Sequence, residues 1–507
     1  MKVNLSLASA FLRFGDGVTP TSTLIPASFG FLPYDFHTLQ RASGTNVIVN
    51  FARRAHDHNW EMDPITRSLL DTDFYKLLML QFIWKHFPGV HASFSLINRS
   101  SAVRLGEIVP IERLREQLEA TRRLRFRRSE LIWLAGNTFY GHRGIFEPAF
   151  LAWLERDFRL SDYDLSIEDG QIALRFHGLW TETTMWEIYA LAAISELRTR
   201  SALKELGELE LDLLYARAKT RLWTKMERLR GVPELRVSDF GTRRRHSFLW
   251  QEYVVNAMRD TIGSAFAGTS NAYLAYKHDF EAIGTNGHEL PMALAAMAIG
   301  DEQLRAAQYR LLELWQESYK GELLILLPDT FGTTQFLRRA PEWVADWTGQ
   351  RIDSKDAYAA GDEYIAWLTE RGRNPLEKRL IASDALDVEQ ILGLHAYFGG
   401  VLCGGARPSD FKCAADFLDR GKWEAGGRIR FSVGWGTLLT NDFRQCDPRG
   451  SDRFDPFSLV CKLSDVEGKP TVKLSDNYSK AMGTAAEVER YRRVFGMAGV
   501  TGTPLTV

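Results

Sequence analysis

Apolar residues recur at two different spacings along this chain, and the change falls near residue 233. Before it, residues from about 71 to 86 put Tyr75, Leu78, Met79 and Phe82 on one helix face, with Asp71 or Asp73 available as N-cap. Residues 90–97 alternate like a strand, and 172–176 form a second strand candidate. Residues 107–165 read as helical and basic, carrying Arg113, Arg115, Arg122, Arg123, Arg125, Arg127 and Arg128. Aliphatic residues interleave the arginines of 122–128, the pattern of a solvated helix face. Residues 186–197 read as an apolar helix.

After residue 233, short apolar runs alternate with helical stretches, at 235–237, 266–267, 282–283, 323–327, 350–352, 380–382 and 431–433. Polar groups and glycines collect directly behind each run. Strand, polar turn and helix in repetition predict parallel strands with crossover helices. In a (β/α) barrel all such turns share one face. An open doubly wound sheet gathers fewer of them, near one switch point. Seven rich turns favour the barrel. The pattern stops near 445 and strand-like text returns at 459–463 and 471–474, with a helix near 484–495. The tail is therefore expected to complete the sheet begun by 90–97 and 172–176. The predicted fold is α/β: an irregular (β/α) barrel with a discontinuous α+β sandwich domain built from the N- and C-terminal segments. The expected divisions are 1–61 as a poorly patterned extension, 62–200, the barrel at 201–450, and 451–507 returning to the first domain.

Composition narrows the class. The chain has 507 residues, 63 basic and 64 acidic side chains and a formal net charge of -1, so no basic excess points to nucleic acid. Any anion site must be a local concentration of Arg and Lys. No apolar stretch is long enough for a membrane span. Cys403, Cys413, Cys446 and Cys461 form no CxxC pair, which fits a reducing, cytoplasmic compartment. Residues 1–61 lack sustained period and make a poor signal peptide; Met62 is expected as the natural start, or the extension as dispensable.

Candidate chemistry sits in the turns. Arg243, Arg244 and Arg245 follow a strand end across Gly241, and guanidinium groups bind carboxylates and phosphates in two-pronged fashion. Adjacent residues of an extended turn cannot all face one ligand, so Arg243 and Arg245 are expected inward and Arg244 away. Gly434-Trp435-Gly436-Thr437 is a candidate phosphate turn opening onto a helix. Asp353, Asp356, Asp384 and Asp387 offer carboxylates to ribose hydroxyls or to Mg²⁺ through water; Asp387 reads better as a helix N-cap. His288 has no companion histidine at metal-ligand spacing, and its glycine-rich turn suits a nucleophile or proton carrier.

These motifs, taken together, resemble one family. Leu69-Leu70-Asp71-Thr72-Asp73-Phe74-Tyr75-Lys76, Asp239-Phe240-Gly241-Thr242-Arg243-Arg244-Arg245, Gly268-Thr269-Ser270-Asn271, Asp329-Thr330-Phe331-Gly332-Thr333, Ser383-Asp384 and Gly436-Thr437 are similar in order and spacing to nicotinate phosphoribosyltransferases from about residue 66 to 480. The resemblance implies that nicotinate and phosphoribosyl pyrophosphate give nicotinate mononucleotide and pyrophosphate, with ATP hydrolysed and Mg²⁺ accompanying the phosphates, in NAD salvage. It implies a head-to-tail homodimer in which Tyr75 of one subunit and Phe240 of the other sandwich the pyridine ring. Arg243 and Arg245 would meet nicotinate and phosphates. Asp353, Ser354, Asp384, Gly434, Gly436 and Thr437 would hold the ribose-phosphate. His288 would be the histidine phosphorylated by ATP. Ser270 stands where amide-using relatives carry Asp, which favours nicotinate over nicotinamide. Two positions depart from the family pattern: Lys355 and Ala385 replace glycine or asparagine in the Asp353 and Asp384 turns. The alternatives are a nicotinamide-using sibling and a non-catalytic, ligand-binding relative.

Overall fold

A computed structural model of the chain describes residues 62–383, 386–400 and 427–502. Asp384, Ala385, Cys403, Cys413 and the extension 1–61 lie outside them.

Two sheets organise the described residues. The antiparallel one begins with β1 (His91–Asn98). A small hairpin follows, β2 (Thr138–Phe139) and β3 (His142–Arg143), then β4 (Tyr163–Glu168) and β5 (Gln171–Leu179). The parallel sheet contains β6 (Val237–Asp239), β7 (Phe266–Thr269), β8 (Ile325–Leu326), β9 (Gly349–Ile352), β10 (Arg379–Ala382) and β11 (Arg430–Trp435). The chain then returns to the first sheet as β12 (Leu459–Val466) and β13 (Lys469–Pro470). The antiparallel order is β13-β12-β1-β5-β4, so residues from both ends of the described chain share one sheet. Of the strand expected at 471–474, only an antiparallel bridge between Lys473 and Met482 forms.

The parallel order is β7-β6-β11-β10-β9-β8. The last strand, β11, pairs with the first, β6, and β8 to β11 follow one another in sequence order. Beyond β7, Ala282 makes a single parallel bridge to Thr269. This is the strand order of a ring, but among the described residues no ladder joins the Ala282 side to β8. There the link is one side-chain bond, Asn286 Nδ2 donating to the Ile325 carbonyl at 3.1 Å. The fold is thus a mixed α/β architecture with one parallel and one antiparallel sheet.

The helix Trp186–Leu203 is buried at every residue except Ser201; its first half is mostly apolar, and its buried Glu187, Glu196 and Arg200 are ion-paired. It packs against β12 and against the 3₁₀ turn Thr242–Arg244, touching the antiparallel sheet and the arginine turn together. The helix Phe74–His86 is buried from Phe74 through Ile83, not on one face alone. Lys76 and Gln81 are enclosed because each finds partners: Lys76 two carboxylates, Gln81 the main chain of Ile145 and Glu147. The expected helical block 107–165 is broken instead into Ile111–Arg122, Arg128–Gly136 and Pro148–Arg156, with the β2–β3 hairpin between the last two. No helix among the described residues is long and apolar enough to cross a membrane.

Candidate active site

A cavity opens at the carboxyl ends of the parallel strands, walled on its other side by β12 and the segment after it. Eight Lys or Arg side chains line it against three Asp or Glu, so it is built for anions.

The arginine turn is set from behind. Asp239 ends β6, and its carboxylate accepts the Gly241 N–H at 2.8 Å, Gln251 Nε2 at 2.8 Å and the Thr269 hydroxyl at 2.7 Å. Burial pushes Asp239 up to about 6, against those three donors. Residues 242–244 then form a 3₁₀ turn. At about 120° per residue such a turn brings Arg243 and Arg244 both to the cavity, where alternation had predicted otherwise. Arg245, expected at the ligand, is fully buried and makes a bidentate pair with Asp71 at 2.7 and 2.8 Å. It holds the turn to the start of the helix Phe74–His86 and does not line the cavity.

Arg243 lies between two carboxylates, Asp73 at 3.7 Å and Glu187 at 3.6 Å. Ser270 is fully buried and donates to Asp73 at 2.7 Å, so it stands behind Arg243 and not on the cavity wall. Tyr75 and Phe240 both line the cavity. Phe240 packs over Gly434, where a Cβ would lie 3.1 Å from its ring. Gly434, Gly436 and Thr437 line the same wall.

Below the rings runs a buried ion network. The Lys76 ammonium lies 2.7 Å from Glu187 and 2.6 Å from Glu289, and Lys462 lies 2.9 Å from Glu187. Burial alone would raise the Glu187 carboxyl, but the Lys462, Lys76 and Arg243 charges outweigh it and hold the group well below its ordinary range.

His288 sits at the N-cap of the helix Glu289–Met297. Its Nε2 is 2.7 Å from Asp329, in the turn after β8, and 3.6 Å from Asp353, in the turn after β9. Lys473, from the C-terminal segment, lies 3.5 Å from Asp329 and 3.4 Å from Asp353. Burial lowers the His288 pKa, with Lys473 adding to the effect and the Asp329 charge opposing it. For Asp353, burial would raise the carboxyl, but Lys473, His288 and Arg351 carry it well below its ordinary range. Ser354 donates to Asp329 at 2.6 Å, and so braces the cluster without lining the cavity. Lys355 points elsewhere: its ammonium meets Thr334 at 2.9 Å and Glu363 at 2.5 Å, and its φ is not positive. Asp356 and Asp387 are helix N-caps, accepting from Ala359 and Gln390.

One ligand atom each from His288, Asp329 and Asp353 lies within 4.8 Å of the others, and the carboxylate oxygens suit a hard cation. Sequence reasoning missed Lys473, Lys462, Arg351, Glu187 and Arg99, all on the cavity wall. Lone charged residues in strands, loops or the first turn of a helix carry no local signal of their direction.

Compared with known families, residues 70–195 match the nicotinate phosphoribosyltransferase (NAPRTase) N-terminal domain, and residues 235–403 and 418–498 match the nicotinate phosphoribosyltransferase (NAPRTase) family. Among solved structures, the chain is similar to nicotinate phosphoribosyltransferase from Vibrio cholerae, with a TM-score of 0.71 and 29% identity over 85% of this chain and 94% of that one. The enzyme of that name from Porphyromonas gingivalis matches with a TM-score of 0.68 and 27% identity, over 85% of this chain and 100% of that one. The chain belongs to the nicotinate phosphoribosyltransferase family.

Proposed function

We propose that this chain joins nicotinate to phosphoribosyl pyrophosphate in NAD salvage, releasing nicotinate mononucleotide and pyrophosphate, and couples the step to ATP through His288. The observation that carries the proposal is one cavity lined by two aromatic rings, a cationic wall and the His288–Asp353–Lys473 cluster.

Tyr75 and Phe240 orient the pyridine ring, and Arg243 attracts its carboxylate. The ring nitrogen attacks C1 of the ribose. The C1–O bond to pyrophosphate breaks, and pyrophosphate leaves with the electron pair. Arg and Lys side chains preplaced on the wall stabilise the leaving charge and the oxocarbenium-like state that precedes it. Mg²⁺ enters as the complex with the phosphates. Asp353 faces the ribose hydroxyls. Ser270 acts on the base through Asp73 and Arg243: a second carboxylate in its place would stand behind the arginine that attracts an acid.

With Nε2 engaged by Asp329, Nδ1 of His288 is the nitrogen available to ATP. It attacks the terminal phosphorus, the bond to the bridging oxygen breaks, and ADP leaves. Water later takes the phosphoryl group and frees phosphate. The lowered His288 pKa keeps the ring neutral and nucleophilic. The non-catalytic alternative drew its support from Lys355, whose side chain lies off the cavity.

Purified protein with nicotinate, phosphoribosyl pyrophosphate and Mg²⁺ tests the proposal. Nicotinate mononucleotide should form, faster with ATP and faster than nicotinamide is used. His288→Ala should retain slow synthesis and lose the ATP effect. No product from nicotinate removes the proposal; full ATP stimulation in the variant removes His288 from it.

A further inference from the structure

The loop that carries His288 is held from outside by a residue that none of the motifs contains. Tyr140 and Gly141 form the two-residue tip of the β2–β3 hairpin, both at positive φ, 53° and 83°, as a type I′ turn requires. Phe139 anchors the hairpin: it is fully buried, with its ring centroid 4.7 Å from that of Phe74. The Tyr140 side chain then reaches the loop after the helix Ala272–His278. Its hydroxyl donates to the Gly284 carbonyl at 2.9 Å and accepts the N–H of the same residue. The Tyr140 N–H donates to Glu281 Oε1 at 2.6 Å. One side chain thus satisfies both main-chain polar groups of Gly284. Burial pushes the phenol up, so it remains a donor.

Gly284 has no room for a side chain. Its φ is 156°, and a Cβ would lie 2.7 Å from the Tyr75 nitrogen and 3.0 Å from its Cβ. At Gly287 a Cβ would lie 3.3 Å from the Tyr75 ring. The segment 284–287 therefore lies against Tyr75 and runs directly into His288. On the inner side, the Lys76–Glu289 pair at 2.6 Å ties the residue after Tyr75 to the residue after His288. Besides the hydroxyl clamp, the loop is held by the Asn286 bond to the Ile325 carbonyl and by this inner tie, and neither of them touches Gly284.

We propose that Tyr140 is a positioning residue: by clamping Gly284 it sets His288 relative to Tyr75, and so couples phosphoryl transfer at the histidine to the base pocket. The coupling role rests on the function proposed above for His288; the clamp does not.

The test compares full-length wild type with Tyr140→Phe by amide hydrogen exchange and by the ratio of turnover with and without ATP. The hydroxyl's two bonds predict exchange across 281–288 faster by about tenfold, and ATP stimulation reduced by about tenfold, with exchange elsewhere unchanged. Unchanged exchange in 281–288 overturns the clamp. Unchanged stimulation in the variant, with stimulation present in wild type, overturns the coupling role. If wild type shows no ATP stimulation, the function proposed for His288 fails and the coupling role with it, while faster exchange still supports the clamp. Should Tyr140→Phe fold poorly, Glu281→Ala removes only the partner of the Tyr140 N–H and should accelerate the same segment; no change there counts against the clamp.

Discussion

Two polar clusters stand at the ends of the parallel strands, and they differ in what their charges face. The first joins Asp71, Asp239, Arg245, Gln251 and Asn271, all buried, with hydrogen bonds directed at one another. Of its guanidinium nitrogens only Arg245 Nε lacks a partner. The second joins His288, Asp329, Asp353 and Lys473, also largely buried, but three of the four line the open cavity. Burial is common to both; inward saturation marks a scaffold, and charges left facing space mark a site for chemistry. The three consecutive arginines divide along this line. Arg245 belongs to the first cluster, and Arg243 and Arg244 to the cavity.

The division can be broken by mutation, most strongly on the scaffold side. Asp71→Ala leaves the enclosed Arg245 unpaired and should cost about 3–5 kcal/mol of stability, read by denaturant unfolding. Unchanged stability would show that the Arg245 cluster is not a scaffold. Arg243→Ala removes a charge that faces the ligand and should lower kcat/KM by roughly a hundredfold, with a smaller loss of stability than Asp71→Ala. A large loss of stability with intact kinetics would reverse its assignment.

A pH profile sharpens the second cluster. Burial lowers the His288 pKa below the ordinary value of about 6.5. Unfolded chain therefore takes up a proton near 6.5 while the folded histidine stays neutral, so this group's contribution to stability is full above 6.5 and falls as pH drops below it. The ATP-stimulated rate should hold its plateau to pH values below 6.5; a decline beginning at or above 6.5 would mean that His288 is not held neutral. Lys355→Gly should have the smallest effect, within about twofold in kcat/KM and about 1 kcal/mol in stability, because its ion pair lies off the cavity. A tenfold kinetic effect would draw that turn into the site.

Much of the framework was legible because strand and helix signals are local. Six of the seven apolar runs after residue 233 are strands, and the seventh, at 282–283, survives as a single bridge. The return of 459–463 to the sheet of 90–97 was also readable, from strand-like text that reappears where the strand–turn–helix repetition stops. The block 107–165 reads as one helical stretch because arginine and leucine are good helix formers throughout it. The glycines at 136, 141 and 144, which close one helix and turn the hairpin, are what break that block. Arg245 was misplaced because the turn was taken as extended, and a 3₁₀ turn rotates successive side chains differently.

The sequence by itself determined the succession of strands and polar turns after residue 233, the positions of His288, Asp353 and the arginines in those turns, and the family these motifs share. Each of these is a property of a few adjacent residues, where period, backbone preference and residue chemistry act directly. Only the tertiary structure decided which charges meet. Lys473 reaches Asp353 across 120 residues of chain, Arg245 reaches Asp71 across 174, and Tyr140 reaches Gly284 across 144. Such pairs form where packing of the two sheets and the enclosed helices brings distant segments together, and there the cost of an unpaired buried charge selects the partner.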